Sequence, residues 1–219
     1  MKILVYSAID GEYDTPAKVG SMAGGGVRFL MYANSNNIAQ SADRNGWEVR
    51  RLETRQRLIK ADPWRYIAEA EEADIILWID GSIQPRPNFL QFVRRASAGF
   101  QTTIHRDRSD IAEEAKAIIR LGKDTPERVE KALSIAPGLA KNRLFETAII
   151  LRLGQDATAK SISSVWHGLL SIPGVSHRDQ LTLPIVDYLT GRCIAAVPHT
   201  EVYSFFTLRP HKKNEHLLL

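Results

Sequence analysis

The sequence lacks most features that would announce a particular chemistry. Its 219 residues hold one cysteine, Cys193, so no intrachain disulfide forms and a cysteine-rich zinc site is excluded. Neither GxGxxG nor GxxxxGK[ST] occurs, which removes the two common phosphate loops. No serine stands in GxSxG, so a hydrolase triad has no support. His105, His167, His177, His199 and His211 show no HExxH or other dense ligand spacing, and each alone is more often a surface or core residue than a metal ligand. No apolar run approaches the roughly 20 residues that span a bilayer. The opening Met1-Lys2-Ile3-Leu4-Val5-Tyr6 is too short an apolar run for a signal peptide, and a soluble, cytoplasmic protein with no membrane span is expected. There is no internal repeat, low-complexity tract or obvious linker.

What is present suits a globular α/β chain. Hydrophobic residues make up 44% and charged residues 25%, enough for a sizeable core within one domain. The formal net charge of +4 is mildly basic and would suit an anionic ligand, a nucleotide sugar or nucleic acid, without choosing between them. Lys2 to Ile9 reads as a buried strand followed by a loop dense in turn formers, Asp10 to Pro16. Gly24-Gly25-Gly26 precedes a strand, Val27 to Ala33, and reads as a turn. Asn34 to Asn45 is polar, a loop with a short helix. Trp47 to Leu52 alternates like a strand. Asp62-Pro63 has the form of a helix start, predicting a helix to about Glu72. Further helices are expected over 88–96, from the capping pattern Asp110/Glu113, from Thr125-Pro126 to about Ile135, and over 159–170. Strands are expected over 100–105, 144–153 (with Glu146 and Arg152 inside an apolar run) and 192–197. Cys193 is expected in the core, as are Trp64, Trp78 and Trp166.

The centre of the chain is Asp74-Ile-Ile-Leu-Trp-Ile-Asp80-Gly81-Ser82. Ile75 to Asp80 is apolar on both faces and reads as a fully buried strand. Asp80 then sits at its carboxyl end, where open α/β sheets bind ligands, and Gly81 permits close backbone approach or positive φ. Hard oxygen ligands there suit a divalent cation; the plain alternative is an Asp-Gly turn. A second candidate is Ser176-His177-Arg178-Asp179-Gln180. Asp179 either caps a helix start with Ser176 or serves as a general base toward a hydroxyl. Pro184 would kink or restart the helix that follows.

Four blocks resemble, in order, those of a glycosyltransferase-like family formerly known only as a domain of unknown function, the family of the TOD and MUCI proteins. They are KILVYSAIDGEYD, RLIKADPWRYIAEAEEADIILWIDGSIQ, IHRDRSDIAEEAKA and SHRDQLTLPIVDYL. The resemblance implies a single-domain GT-A-like, Rossmann-type α/β fold with a mixed, mostly parallel central sheet flanked by helices. Its core would be about 2–190, with a terminal strand and tail over 191–219. It implies transfer of a sugar from a nucleoside-diphosphate sugar, with a UDP-sugar the expected donor, to a hydroxyl of a glycan. The alternatives are a phage-type enzyme acting on hydroxylated DNA bases and a non-catalytic nucleotide-sugar-binding module. The donor site would comprise Ala8, Ile9, Tyr13, Lys60, Asp80, Gly81, Ser82 and His105, with Glu114 in the middle block. Asp179, Arg178 and Gln180 would be the catalytic set facing sugar and acceptor. Where such enzymes commonly carry Asp-x-Asp, Ser82 replaces the second carboxylate. A cation, Mn²⁺ or Mg²⁺, would therefore rely on Asp80 and a late histidine, His211 first and His199 second.

Overall fold

The computed structural model describes residues 1–139 and 143–209. Seven strands form the main sheet: β1 (Ile3–Ile9), β2 (Val27–Ala33), β3 (Glu48–Arg51), β4 (Ile75–Ile79), β6 (Phe100–Ile104), β7 (Phe145–Leu153) and β8 (Ala195–Val197). Between them in sequence lies β5 (Ile83–Pro85), which pairs outside this sheet with β9 (Phe206–Leu208). The spatial order is β3-β2-β1-β4-β7-β6-β8. β7 alone runs against its neighbours: Ile79 faces Ile149, and Thr102 faces Ile150. The carboxyl ends of β1, β4 and β6 therefore share one edge with the amino end of β7.

The central strands are buried on both faces, as their continuous apolar runs require. Alternation with period two divides β1. Leu4, Tyr6 and Ala8 enter one core layer with Trp78 and Ile150; Ile3, Val5 and Ile9 enter the other with Leu77 and Leu151. The first layer is covered by α2 (Gln56–Ala61), α4 (Ile111–Arg120), α5 (Pro126–Ser134), α6 (Ala157–Ser171) and α7 (Asp179–Leu189). The second is covered by α1 (Asn36–Arg44), α3 (Phe89–Arg94), α8 (His199–Val202) and the β5–β9 ribbon, whose Phe206 packs on Phe89 and Phe92. Among the described residues no helix is long and apolar enough to cross a membrane.

Most predicted elements are present within a residue or two, and Asp110 caps α4 as its spacing implies, accepting from the N–H groups of Ala112 and Glu113. Four expectations need correction. Residues 62–72 form two short 3-10 turns, Pro63–Arg65 and Ala68–Glu71, instead of one helix. The reason is Ile67, which takes an extended backbone so that its side chain enters the core; the Asp62 carboxylate accepts from Arg65 Nε (2.9 Å) instead of capping. The helical turn lies just upstream, in α2. Cys193 is exposed, because the chain turns through Arg192 at φ 62° and buries Ile194 next. Phe206–Leu208, read as tail, is a strand. Trp64, expected in the core, is only partly buried and packs against it. Pro184 lies inside α7, so of the two outcomes open for it a restart does not occur.

Candidate functional site

Asp80 is the first residue past β4. Its N–H donates to Ala148 O of β7 (2.8 Å) and its carbonyl accepts from Ile83 N–H (2.9 Å), so the backbone is fastened on both sides. Gly81 serves close approach, not positive φ: a Cβ there would lie 2.9 Å from Asp14 Cβ and 3.0 Å from Ile9 Cδ1. Arg209 closes the loop from the carboxyl end. Its guanidinium donates to the carbonyls of Gly81 (2.7 Å) and Thr15, and its N–H donates to Ser82 O (2.8 Å). Ser82 is buried.

Lys60, in the last turn of α2, ties this loop to α7. Its ammonium is buried and donates to Asp179 Oδ2 (2.7 Å), Asp80 Oδ1 (3.0 Å) and Thr147 Oγ1 (3.2 Å). Three donors thus meet three oxygens. Asp80 Oδ1 also accepts from Trp78 Nε1 (2.6 Å). The position of Lys60 is set by Arg152 of β7, which is fully buried. Arg152 donates to the carbonyls of Lys60 (2.8 Å) and Ala61 (3.2 Å), to Tyr6 Oη (3.1 Å) and to Ser163 Oγ (2.9 Å), and Tyr6 Oη donates in turn to Lys60 O (3.1 Å). These are the carbonyls a short helix leaves unpaired at its end. The guanidinium lies over the Phe100 ring at 4.7 Å.

Asp179 opens α7. The capping box with Ser176 does not form: Ser176 Oγ donates to Asp124 (2.8 Å), and Asp179 turns to Lys60. Burial would raise the Asp179 carboxyl, but Lys60, Arg57 and Arg178 outweigh it and hold the group below the ordinary carboxylate range. Its Oδ1 accepts no hydrogen bond among the described residues and faces Arg57 Nε at 3.5 Å. Asp179 is therefore an ionised carboxylate with one oxygen committed and the other unsatisfied. Arg178 precedes it as the N-terminal flanking residue of α7, and Gln180 follows in the first turn, partly exposed.

Beside this cluster is a cleft of about 180 Å³ lined by Asp10, Arg55, Arg57, Leu58, Leu170 and His177 among others. Asp10 follows β1 and accepts from Asn34 Nδ2 (2.6 Å), while Gly11 N–H donates to Asn34 Oδ1 (2.7 Å). Arg55 donates to His177 Nε2 (2.7 Å). Burial, then Arg55, Arg128 and Arg57, lower the His177 pKa, so the ring is neutral and accepts that bond. The lining carries two arginines against one aspartate, and this excess of positive charge suits an anion.

The remaining predicted residues are dispersed. Ala8 and Ile9 end β1 with side chains in the core, and Tyr13 is exposed on the following loop. His105 lines a second cleft, of about 540 Å³, with Arg108, Ser109, Glu113 and Arg143. Its Nδ1 accepts the N–H groups of Asp107 (3.1 Å) and Arg108 (3.0 Å), and burial with Arg108 lowers its pKa, leaving it neutral. Glu114 is buried and paired with Arg108 (2.6 Å). His199 begins α8 with its ring against Tyr203. His211 lies outside the described residues. Among the described residues no group of three or more His, Cys, Asp or Glu gathers for a metal. Asp80 supplies one carboxylate whose Oδ1 already accepts from Lys60 and Trp78, so a cation such as Mg²⁺ would have to be held through its other oxygen together with phosphates and water.

Sequence reasoning missed the roles of Arg57, Thr147, Tyr6 and Arg152. A signal existed for the last: an arginine in the middle of an apolar strand is either strained or satisfied by buried acceptors.

The sheet order, with one reversed strand between β4 and β6 and helices on both faces, makes this a GT-A-like, Rossmann-type α/β fold. No family model and no curated protein matches the chain. It is similar to the solved structure of glucosyl-3-phosphoglycerate synthase from Mycobacterium tuberculosis in complex with Mn²⁺, uridine diphosphate and phosphoglyceric acid, at 16% identity and TM-score 0.47, over 98% of this chain and 73% of that one. A second structure of that enzyme, with Mg²⁺ and uridine diphosphate, compares at 15% identity and TM-score 0.46, over 98% of this chain and 74% of that one.

Proposed function

We propose that this protein is a glycosyltransferase that moves a sugar from a nucleoside-diphosphate sugar, a UDP-sugar in the first instance, to a hydroxyl of a glycan or related acceptor. The observation that carries the reading is the Lys60 bridge. It holds two carboxylates from distant parts of the chain, Asp80 and Asp179, at the sheet's carboxyl edge, beside a cationic cleft. The four sequence blocks of the TOD and MUCI type support the same reading.

In this reading Arg55 and Arg57 face the donor's diphosphate, and the loop from Asp10 to Tyr13 faces the nucleoside. Asp179 Oδ1 accepts the proton of the acceptor hydroxyl. The acceptor oxygen then bonds to the sugar's anomeric carbon as the bond from that carbon to the diphosphate oxygen breaks, and the nucleoside diphosphate leaves. Proton transfer of this kind contributes about 10²–10⁴-fold. A divalent cation held by Asp80 would neutralise the leaving diphosphate when bound. Thermal-shift screening of nucleotide sugars with and without Mn²⁺ tests the donor half, since a ligand selective for the folded state raises the melting temperature. A stabilising donor is expected, and loss of that shift in Asp80→Ala; no shift with any nucleotide sugar would count against the reading.

A further inference from the structure

Among the described residues of the cluster, one arginine has neither a side-chain hydrogen bond nor an ion pair. The Lys60 ammonium has all three donors engaged, Arg55 is bonded to His177 and Arg57 faces Asp179. Arg178 makes no side-chain hydrogen bond or ion pair among the described residues, and its Nε is buried without a partner. Its backbone, by contrast, is fixed. The carbonyl accepts from Leu181 N–H (3.0 Å), Thr182 N–H (2.9 Å) and Thr182 Oγ1 (3.2 Å), and the N–H donates to Ser176 Oγ (3.2 Å). An arginine side chain stays charged at any physiological pH, and a buried N–H without an acceptor is unfavourable; Arg178 is partly buried, with its Nε the atom so enclosed. The carboxylates whose fields it feels are already committed elsewhere: Glu114 to Arg108, Asp124 to Ser176 and Arg128, and Asp179 through Oδ2 to Lys60. A fixed backbone thus presents an arginine whose buried Nε has no acceptor, one residue before Asp179, whose Oδ1 accepts no hydrogen bond among the described residues and faces Arg57.

We infer that the acceptor is itself an anion, bearing a carboxylate or phosphate within a few bonds of the hydroxyl that takes the sugar, and that Arg178 binds this group while Asp179 Oδ1 receives the hydroxyl. The inference rests on the glycosyltransferase reading and names the acceptor class at the same site. Two oxygens of a carboxylate or phosphate match the guanidinium fork, whereas a neutral polyol offers no charge to offset. Arg178 and Asp179 are consecutive at the start of α7, so both recognition points belong to that helix end.

The test is NMR spectroscopy of arginine Nε–H groups in the full chain with uridine diphosphate present. The chain is titrated at constant ionic strength with inorganic phosphate, with acetate, and with glycerol as a neutral control. The Arg178 signal is assigned by its disappearance in Arg178→Lys. A saturable shift of that signal with phosphate or acetate but not glycerol is expected, and Arg178→Gln should weaken the anion's binding by about tenfold or more. Tighter phosphate points to a phosphorylated acceptor, tighter acetate to a hydroxy acid or uronic acid. No saturable shift at tens of millimolar of either anion, an equal response to glycerol, or anion binding unaltered in Arg178→Gln would overturn the inference. Calorimetry with uridine diphosphate separates the two readings: absent nucleotide binding defeats the donor assignment, while the Arg178 signal still reports on the anion.

Discussion

At the scale of the residue, Lys60 is the joint of the site, and its removal should be felt first as lost stability. Lys60→Met leaves the mostly enclosed Asp179 with Arg57 as its one ion-pair partner among the described residues and Asp80 short of one donor. Breaking a buried pair from one side costs about 3–5 kcal/mol, and urea denaturation should register a loss of that order, smaller on the Asp80 side because that side chain is one-third exposed. Asp179 also sets an acid limb. Its folded pKa is depressed, so its contribution is complete above the ordinary aspartate value of about 3.9 and is lost as the pH falls through the folded value. The denaturation midpoint should therefore fall at acid pH in the wild type and less steeply in Asp179→Asn. Gly81→Ala introduces a Cβ against Asp14 and Ile9; such overpacking costs about 1–3 kcal/mol, and a smaller change would mean that the loop yields. The places of Asp80 past a strand end and of Asp179 at a helix start were legible in sequence, from the apolar run before the one and the Ser176 spacing before the other. Their connection was not, since Lys60 and Asp179 are 119 positions apart and only the folded sheet brings them together.

At the scale of the element, the decisive piece is the shortest helix on that face. α2 has six residues, too few to hold together by propensity alone. It persists because Arg152 and Tyr6 satisfy its terminal carbonyls. Arg152→Met should cost about 1–3 kcal/mol for each buried group left unpaired, seen by urea denaturation, and should lower turnover by displacing Lys60. The same shortness hid α2 from sequence: Gln56-Arg-Leu-Ile-Lys-Ala61 gives too few turns for a periodicity, while Asp62-Pro63 offers a start signal that Ile67 overrides. Elements with a full apolar face, such as α4 and α6, or with a continuous apolar run, such as β4, were read correctly. β9 was missed because its partner β5 is equally short, and pairing of two three-residue strands has no local signature.

At the scale of the whole molecule, the fold brings to one edge what the sequence keeps apart: the ends of β1 and β4, the start of β7, α2, α7 and the closing Arg209. Two tyrosines within this assembly, Tyr6 and Tyr203, are pushed up to about 12, chiefly by burial. A raised phenol pKa means stability that is complete below the unfolded value of about 10 and lost as the pH rises through the folded one. Alkaline unfolding is thus expected between about pH 10 and 12, with tyrosinate absorbance and loss of circular dichroism rising together; tyrosinate appearing near pH 10 in a chain that stays folded would contradict these environments.

The central claim is that Asp179, held ionised by Lys60 next to Asp80, takes the proton of an acceptor hydroxyl during sugar transfer. Its most direct test is release of nucleoside diphosphate from a panel of nucleotide sugars, with and without Mn²⁺ and in the presence of anionic hydroxyl acceptors, by wild type and Asp179→Asn. Turnover of at least one donor is predicted, reduced about 10²–10⁴-fold in Asp179→Asn with donor binding retained. A donor that binds and stays intact with every acceptor and metal, or turnover that survives unchanged in Asp179→Asn, would contradict it.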